Sequence, residues 1–176
     1  MVHSGTKYLS GHNDTVCGFL CSGNQELADR FRLLSKTTGA TLGPFESWLC
    51  LRGLKTLALR MERHKSNAEA VSRWLREQSV VTNVYYAGSG MISFTVTSSE
   101  IAVAILKNIR LITFAESLGG TESLLTYPAV QTHPDVPREQ REKLGITDTL
   151  LRLSVGIENP DDIIAELKQA FENAEK

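Results

Sequence analysis

Residues Leu54–Leu75, LKTLALRMERHKSNAEAVSRWL, and the segments after them, Val80–Tyr86 (VVTNVYY) and Met91–Val96 (MISFTV), decide the fold class, because the apolar period changes between them. In the first, Leu54, Leu57, Met61, His64, Ala68, Val71 and Leu75 recur at steps of three and four, the seam of a long helix. Lys55, Arg63, Glu69 and Arg76 fall on its opposite, solvated side. In MISFTV, Ile92, Phe94 and Val96 alternate with Met91, Ser93 and Thr95, the period of a strand.

Working outward, Ser98 is placed to cap a short helix through Leu106, and Leu111–Ala115 and Thr149–Val155 (TLLRLSV) read as strands. Asn159-Pro160 opens a last helix, with Asn as N-cap and Pro in the first turn. Toward the N-terminus, Thr15–Cys21 (TVCGFLC) reads as a buried strand ended by Ser22-Gly23-Asn24. Leu27, Phe31 and Leu34 give Gln25–Lys36 a helical face capped by Asn24, and Thr37–Pro44 breaks regular structure. Helices and strands mix throughout, so the expected class is α/β (α+β), a sheet with helices packed on it. Glu116–Thr121 (ESLGGT) and Thr126–Pro134 (TYPAVQTHP) are expected to be loops, where sites tend to sit.

The chain has 176 residues, 41% of them hydrophobic, with 19 Lys+Arg against 20 Asp+Glu. That near-neutral balance removes the electrostatic drive toward phosphate backbones and argues against a nucleic-acid partner. No apolar run approaches the ~18–20 residues of a membrane span, and MVHSGTKYLSGH lacks the charged and apolar regions of a signal peptide. A cytoplasmic location and no membrane partner are therefore expected. Cys17, Cys21 and Cys50 have no metal-like spacing, so neither a metal site nor a disulfide framework is expected.

Ser4-Gly5-Thr6-Lys7-Tyr8 holds a lysine with hydroxyls one and three positions before it. That is the donor set a pyridoxal phosphate site needs, an amine for the aldehyde and hydroxyls for the phosphate dianion, although a Thr-Lys pair in a loop taken alone is more often solvated surface. In TLLRLSV, Leu151, Leu153 and Val155 share one face, leaving Arg152 and Ser154 on the other with Leu150. A guanidinium on a half-buried strand needs an anion, either a ligand carboxylate or one of the chain's own in a structural ion pair. His64, on the helical seam, reads as a packed or interface residue and His133 as a structural hydrogen-bonding one.

The run SGTKYLSGHN resembles the cofactor-lysine signature of the Cys/Met-metabolism family of pyridoxal-phosphate enzymes. Four later blocks resemble the family in family order: LGPFESW (42–48), RGLKTLALRM (52–61), ESLGG (116–120) and RLSVGIE (152–158). TYPAVQTH (126–133) looks most like the bacterial cystathionine β-lyase branch. The resemblance implies that Lys7 carries the pyridoxal 5'-phosphate and that Ser4 and Thr6 hold its phosphate. It also implies that Arg152 and Ser117 bind the substrate α-carboxylate and that Glu116 bears on β against γ preference. The implied fold is that of the C-terminal part of a fold-type I transferase.

Met1 falls inside the signature, where the family continues upstream into a large domain. The resemblance thus implies a C-terminal portion, with residues 1–53 from the large cofactor-binding domain and 54–176 forming the small domain, internally shortened near 88–90. The upstream domain supplies the ring stacked on the cofactor and the carboxylate at the pyridine nitrogen, so this chain alone is expected to show at most marginal lyase activity. The implied reaction is β-elimination of cystathionine to homocysteine, pyruvate and ammonia. Cystathionine γ-synthase or γ-lyase chemistry is the alternative, and an inactive remnant or assembly partner is the reading of another class. Family members are typically tetramers, so a homo-oligomer is expected.

Overall fold

The computed structural model describes residues 1–176 as two compact units, Met1–Ala58 and Leu59–Lys176. In the first, β1 (Val2–Ser4) pairs antiparallel with β2 (Gly18–Leu20), and a single wide turn of π-helix, Gly5–Leu9, follows β1 directly. Helix α1 (Gln25–Thr38) starts as the sequence predicts, with Asn24 Oδ1 accepting from the Leu27 N–H at 3.0 Å, and ends at Gly39, whose φ is +71°. Pro44 does not merely end a loop. It opens a helix, α2 (Pro44–Leu54), taking a first-turn position where its missing N–H costs nothing.

Two sequence expectations change in this unit. TVCGFLC is not a buried strand: only Gly18–Leu20 pairs, and Leu20 is exposed, because this two-stranded ribbon has a single neighbour to pair with and no sheet around it. Helix α2 has no clean apolar stripe. Phe45, Trp48 and Leu51 are exposed while Cys50 and Gly53 are buried, so no 3.6-residue period announces it.

The second unit takes in nearly all of α3 (Leu57–Leu75), followed by β3 (Val81–Tyr86), β4 (Met91–Val96), α4 (Ser99–Asn108) and β5 (Thr113–Phe114). After these come β6 (Leu124–Thr126), α5 (Pro128–Gln131), α6 (Arg138–Lys143), β7 (Leu150–Ser154) and α7 (Pro160–Ala174). The helical pattern from Leu54 is split at Lys55-Thr56, whose amides close a turn on Arg52 and Gly53, so Leu54 ends α2 instead of starting α3. Ser98 and Asn159 cap α4 and α7 with their side-chain oxygens, as expected. The strand expected at Leu111–Ala115 shrinks to Thr113–Phe114. The expected loop at Thr126–Pro134 is corrected as well. Thr126 closes a fully buried inner strand too short to show a period, and Pro128 begins a turn of helix.

The strands order as β3-β4-β7-β6-β5, antiparallel except for the β5–β6 pair. Ile92 pairs with Leu153, Phe94 with Leu151 and Leu125 with Leu153, so these side chains share one face. They are buried with Ala68, Val71 and Leu75 of α3 and Ile163, Leu167 and Phe171 of α7. Each large side chain so buried contributes about 1.5–3 kcal/mol. The opposite face carries a polar row, since Ser93 and Thr126 both stand in register with Arg152. No helix is long and apolar enough to cross a membrane.

Candidate active site

The sequence-predicted site residues fall into two groups, one in each unit. Ser4, Thr6 and Lys7 lie at the turn that follows β1, and Glu116, Ser117 and Arg152 lie on the polar face of the five-stranded sheet.

The Lys7 turn is held by one backbone carbonyl. Cys17 O accepts from Gly5 N at 2.8 Å, Thr6 N at 3.1 Å and the Thr6 hydroxyl at 3.2 Å, while Cys17 N donates back to Thr6 Oγ1 at 2.9 Å. Gly5 is required here, since a Cβ would sit 2.3 Å from Cys17 Sγ and 2.6 Å from the Phe19 ring. Lys7 breaks the helical geometry at φ −91°, ψ −129°, and its carbonyl accepts from Gly11 N at 2.8 Å. Buried Ser10 closes the turn, donating to Thr6 O at 3.2 Å. Beneath it, Gly53 of α2 lets two backbones meet: a Cβ there would lie 2.0 Å from Ser10 O. Burial pushes the neighbouring Tyr8 phenol up to about 12, so it is neutral at physiological pH.

These groups fit pyridoxal phosphate. Lys7 supplies a primary amine, and Ser4 is exposed on the last position of β1 with its hydroxyl open to a phosphate oxygen. The Thr6 hydroxyl proton is engaged on Cys17 O, but that oxygen keeps two backbone donors if the proton turns to a phosphate. Turning it therefore strands no buried acceptor.

Arg152 stands on β7 with its guanidinium over the start of the 116–123 loop. Nη2 donates to Glu116 O at 2.7 Å and to Thr126 Oγ1 at 3.2 Å, and the Thr126 hydroxyl in turn donates to Ala115 O at 2.7 Å. No carboxylate lies within the 4.0 Å of an ion pair, and Nε is buried without an acceptor. Burial lowers the Arg152 pKa from its ordinary value, with Glu116 opposing. The structural ion pair considered from the sequence is absent, which leaves a desolvated cation with donors to spare.

The loop carrying Glu116 and Ser117 is stapled to the strand that carries Arg152. Ser154 Oγ accepts from Gly119 N at 2.8 Å, and Ile157 N donates to Thr121 O at 2.8 Å. Glu158 takes the Ser123 amide at 2.5 Å and its hydroxyl at 3.0 Å. Sequence reasoning missed Thr126 and Cys17, whose roles come from cross-strand register and a carbonyl eleven residues away. Ser154 shares the face of Arg152, as the alternation in TLLRLSV predicts, and its bond to the loop explains why that face is polar.

Three of the four histidines make structural contacts. His64 is fully buried, with Nδ1 2.7 Å from Val155 O, and burial lowers its pKa. His133 Nδ1 pairs with Thr132 Oγ1 at 2.7 Å, and His12 Nδ1 with Ser10 O at 2.7 Å.

The chain is 53% identical over 174 residues to cystathionine gamma-synthase of Haemophilus influenzae, spanning 98% of this chain and 47% of that protein. It is 43% identical over 189 residues to cystathionine beta-lyase of Lactococcus lactis subsp. cremoris, spanning 98% of this chain and 50% of that protein. The crystal structure of cystathionine gamma-lyase from Lactobacillus plantarum complexed with L-serine superposes with a TM-score of 0.94 at 37% identity, over 99% of this chain and 50% of that one. The chain thus spans about half the length of the curated relatives it matches, and these similar proteins are named for three different reactions. With residues 1–172 matching the family described as Cys/Met metabolism PLP-dependent enzyme, and with a lysine turn that suits that cofactor, the chain belongs to this pyridoxal-phosphate-dependent trans-sulfuration family.

Proposed function

We propose that this chain carries the cofactor lysine and the carboxylate-binding residues of an enzyme that makes or breaks a carbon–sulfur bond in amino acids of the cystathionine class. The observation that carries the reading is Arg152, a half-buried guanidinium with no carboxylate of its own and a buried Nε–H without an acceptor. A substrate α-carboxylate supplies the missing charge and acceptors, and the neighbouring Ser117 adds a hydroxyl.

Lys7 would hold the cofactor through its amine, and Ser4 and Thr6 would donate to the phosphate. Bound there, pyridoxal phosphate supplies an electron sink for the pair left on Cα when its proton is removed. Arg152 orients the amino acid by its carboxylate. The Lys7 amine, when it is not holding the cofactor, would take the Cα proton as general base. Glu116, whose carbonyl anchors Arg152, leads the loop that bears on where the leaving group sits.

TYPAVQTH supports β-elimination, which yields homocysteine, pyruvate and ammonia from cystathionine. The 53% identity to a γ-synthase favours a second reading, formation of the thioether at Cγ. Exposed Phe45, Trp48 and Leu51 on α2 support an oligomeric assembly. The test incubates the purified chain with pyridoxal phosphate and either cystathionine or a homoserine ester plus cysteine, beside Lys7→Ala. Pyruvate marks β-elimination, 2-oxobutyrate γ-elimination and new cystathionine γ-replacement. Product formed equally by Lys7→Ala overturns the role of Lys7; because turnover by the chain alone is expected to be marginal at most, the absorbance of added cofactor is followed as well, and no shift of that absorbance with either protein favours an assembly partner.

A further inference from the structure

Beside the Lys7 turn stands a pair of thiols that the proposed reaction does not use. Cys17 Sγ lies 3.9 Å from Cys50 Sγ, bridging the loop that holds the turn and helix α2. Cys17 is half-buried and receives a 3.5 Å contact from the Thr15 hydroxyl; Cys50 is 2% exposed. Cys21, by contrast, is exposed and bonded to neither.

We propose that Cys17 and Cys50 form a two-cysteine oxidation site that takes a hydroperoxide and closes to a disulfide, tying the Lys7 turn to α2. The sulfurs need to approach by about 1.9 Å to reach the ~2.0 Å bond length. Room exists on the Cys50 side, where an apolar cavity of about 230 Å³ lies among Phe19, Leu42, Ser47, Leu51 and Leu54. Cys17 is the first to react, being the more accessible of the two. Burial, with Cys17 beside it, pushes the Cys50 thiol up and keeps it protonated, in keeping with a resolving role.

In the first step Cys17 loses its thiol proton and its sulfur attacks the hydroperoxide oxygen. The O–O bond breaks, the alcohol or water leaves with the proton, and Cys17 becomes a sulfenic acid. Cys50 then gives up its proton and its sulfur attacks that of Cys17. The S–O bond breaks and hydroxide leaves as water, so two thiols are oxidised while one hydroperoxide is reduced. The consequence reaches Lys7 because the carbonyl of Cys17 accepts from both Gly5 N and Thr6 N. A disulfide would fix that carbonyl from the α2 side.

The experiment uses the full chain carrying Cys21→Ser, which removes the exposed thiol, treated with one equivalent of hydrogen peroxide at low protein concentration. The expected result is loss of both remaining thiols, one intramolecular Cys17–Cys50 peptide on non-reducing mapping, and full recovery with dithiothreitol. Gly5 and Thr6 amides should exchange more slowly after oxidation. Adding Cys17→Ser should leave the Cys50 thiol intact at the same dose. Cys17 carried on to sulfinic acid beside a free Cys50 thiol, a disulfide joining two chains, or both thiols untouched would overturn the site. Unchanged exchange at Gly5 and Thr6 would overturn the tie to Lys7.

Discussion

Arg152 Nη2 donates to the main-chain carbonyl of Glu116 at 2.7 Å, so the guanidinium is steered by a neutral acceptor and its charge is not cancelled there. A carbonyl fixes direction without neutralising, whereas a carboxylate in the same place would compete with substrate.

In the assembled, cofactor-loaded enzyme, Arg152→Ala should lower kcat/KM by an amount worth roughly 2–5 kcal/mol, most of it through KM. Arg152→Lys should recover little, because an ammonium cannot reach Glu116 O and a carboxylate as a planar fork does. Steady-state kinetics on the three proteins check this. Unchanged kinetics in the alanine variant would make Arg152 a structural residue.

Thr126 should matter more than its distance in sequence from Arg152 suggests. It is 1% exposed, donates to Ala115 O and accepts from Arg152, so Thr126→Val strands two partners at once. The expected loss is about 1–3 kcal/mol in urea unfolding, with a rise in KM. Thr126→Ser keeps the hydroxyl and should restore most of both.

Stability should fall as pH drops below about 6.5, in part through His64. Its folded pKa is lowered, by burial first and by Arg60 next, with its bond to Val155 O opposing, so the unfolded chain binds the proton more readily. The contribution is fully present above the unfolded pKa and is lost as pH falls toward the folded one. His64→Gln should flatten that part of the pH dependence of unfolding free energy, and an unchanged slope would assign the effect to other groups.

Glu166 on α7 should be worth more than a surface carboxylate. Its Oε1 accepts from the backbone amides of Arg110, Leu111 and Ile112, and Oε2 from Gln169. Glu166→Ala leaves those amides unpaired and should cost about 2–4 kcal/mol by chemical denaturation.

The sheet was legible where its strands were long and one-sided. Ile92, Phe94 and Val96 alternate in the sequence and are buried in the structure, and TLLRLSV separates its apolar face from Arg152. Leu124–Thr126 was not legible, because three residues buried throughout have no period to read. The first unit was read as more buried than it is: α1 has the expected cap and face, yet buries none of its residues. Lys7, Ser4 and Thr6 are proposed from spacing and resemblance. The carbonyl of Cys17 that holds Gly5 and Thr6 is not legible, since nothing in TVCGFLC distinguishes an acceptor of three donors from an ordinary strand residue.

Lys7, alone among the lysines, is proposed to carry the cofactor. Pyridoxal phosphate is added to the purified chain, the linkage is fixed with borohydride, and the label is mapped by peptide. One dominant labelled peptide containing Lys7, lost in Lys7→Ala, is expected. Label spread over Lys36, Lys55 and Lys107 as readily as over Lys7 would contradict it.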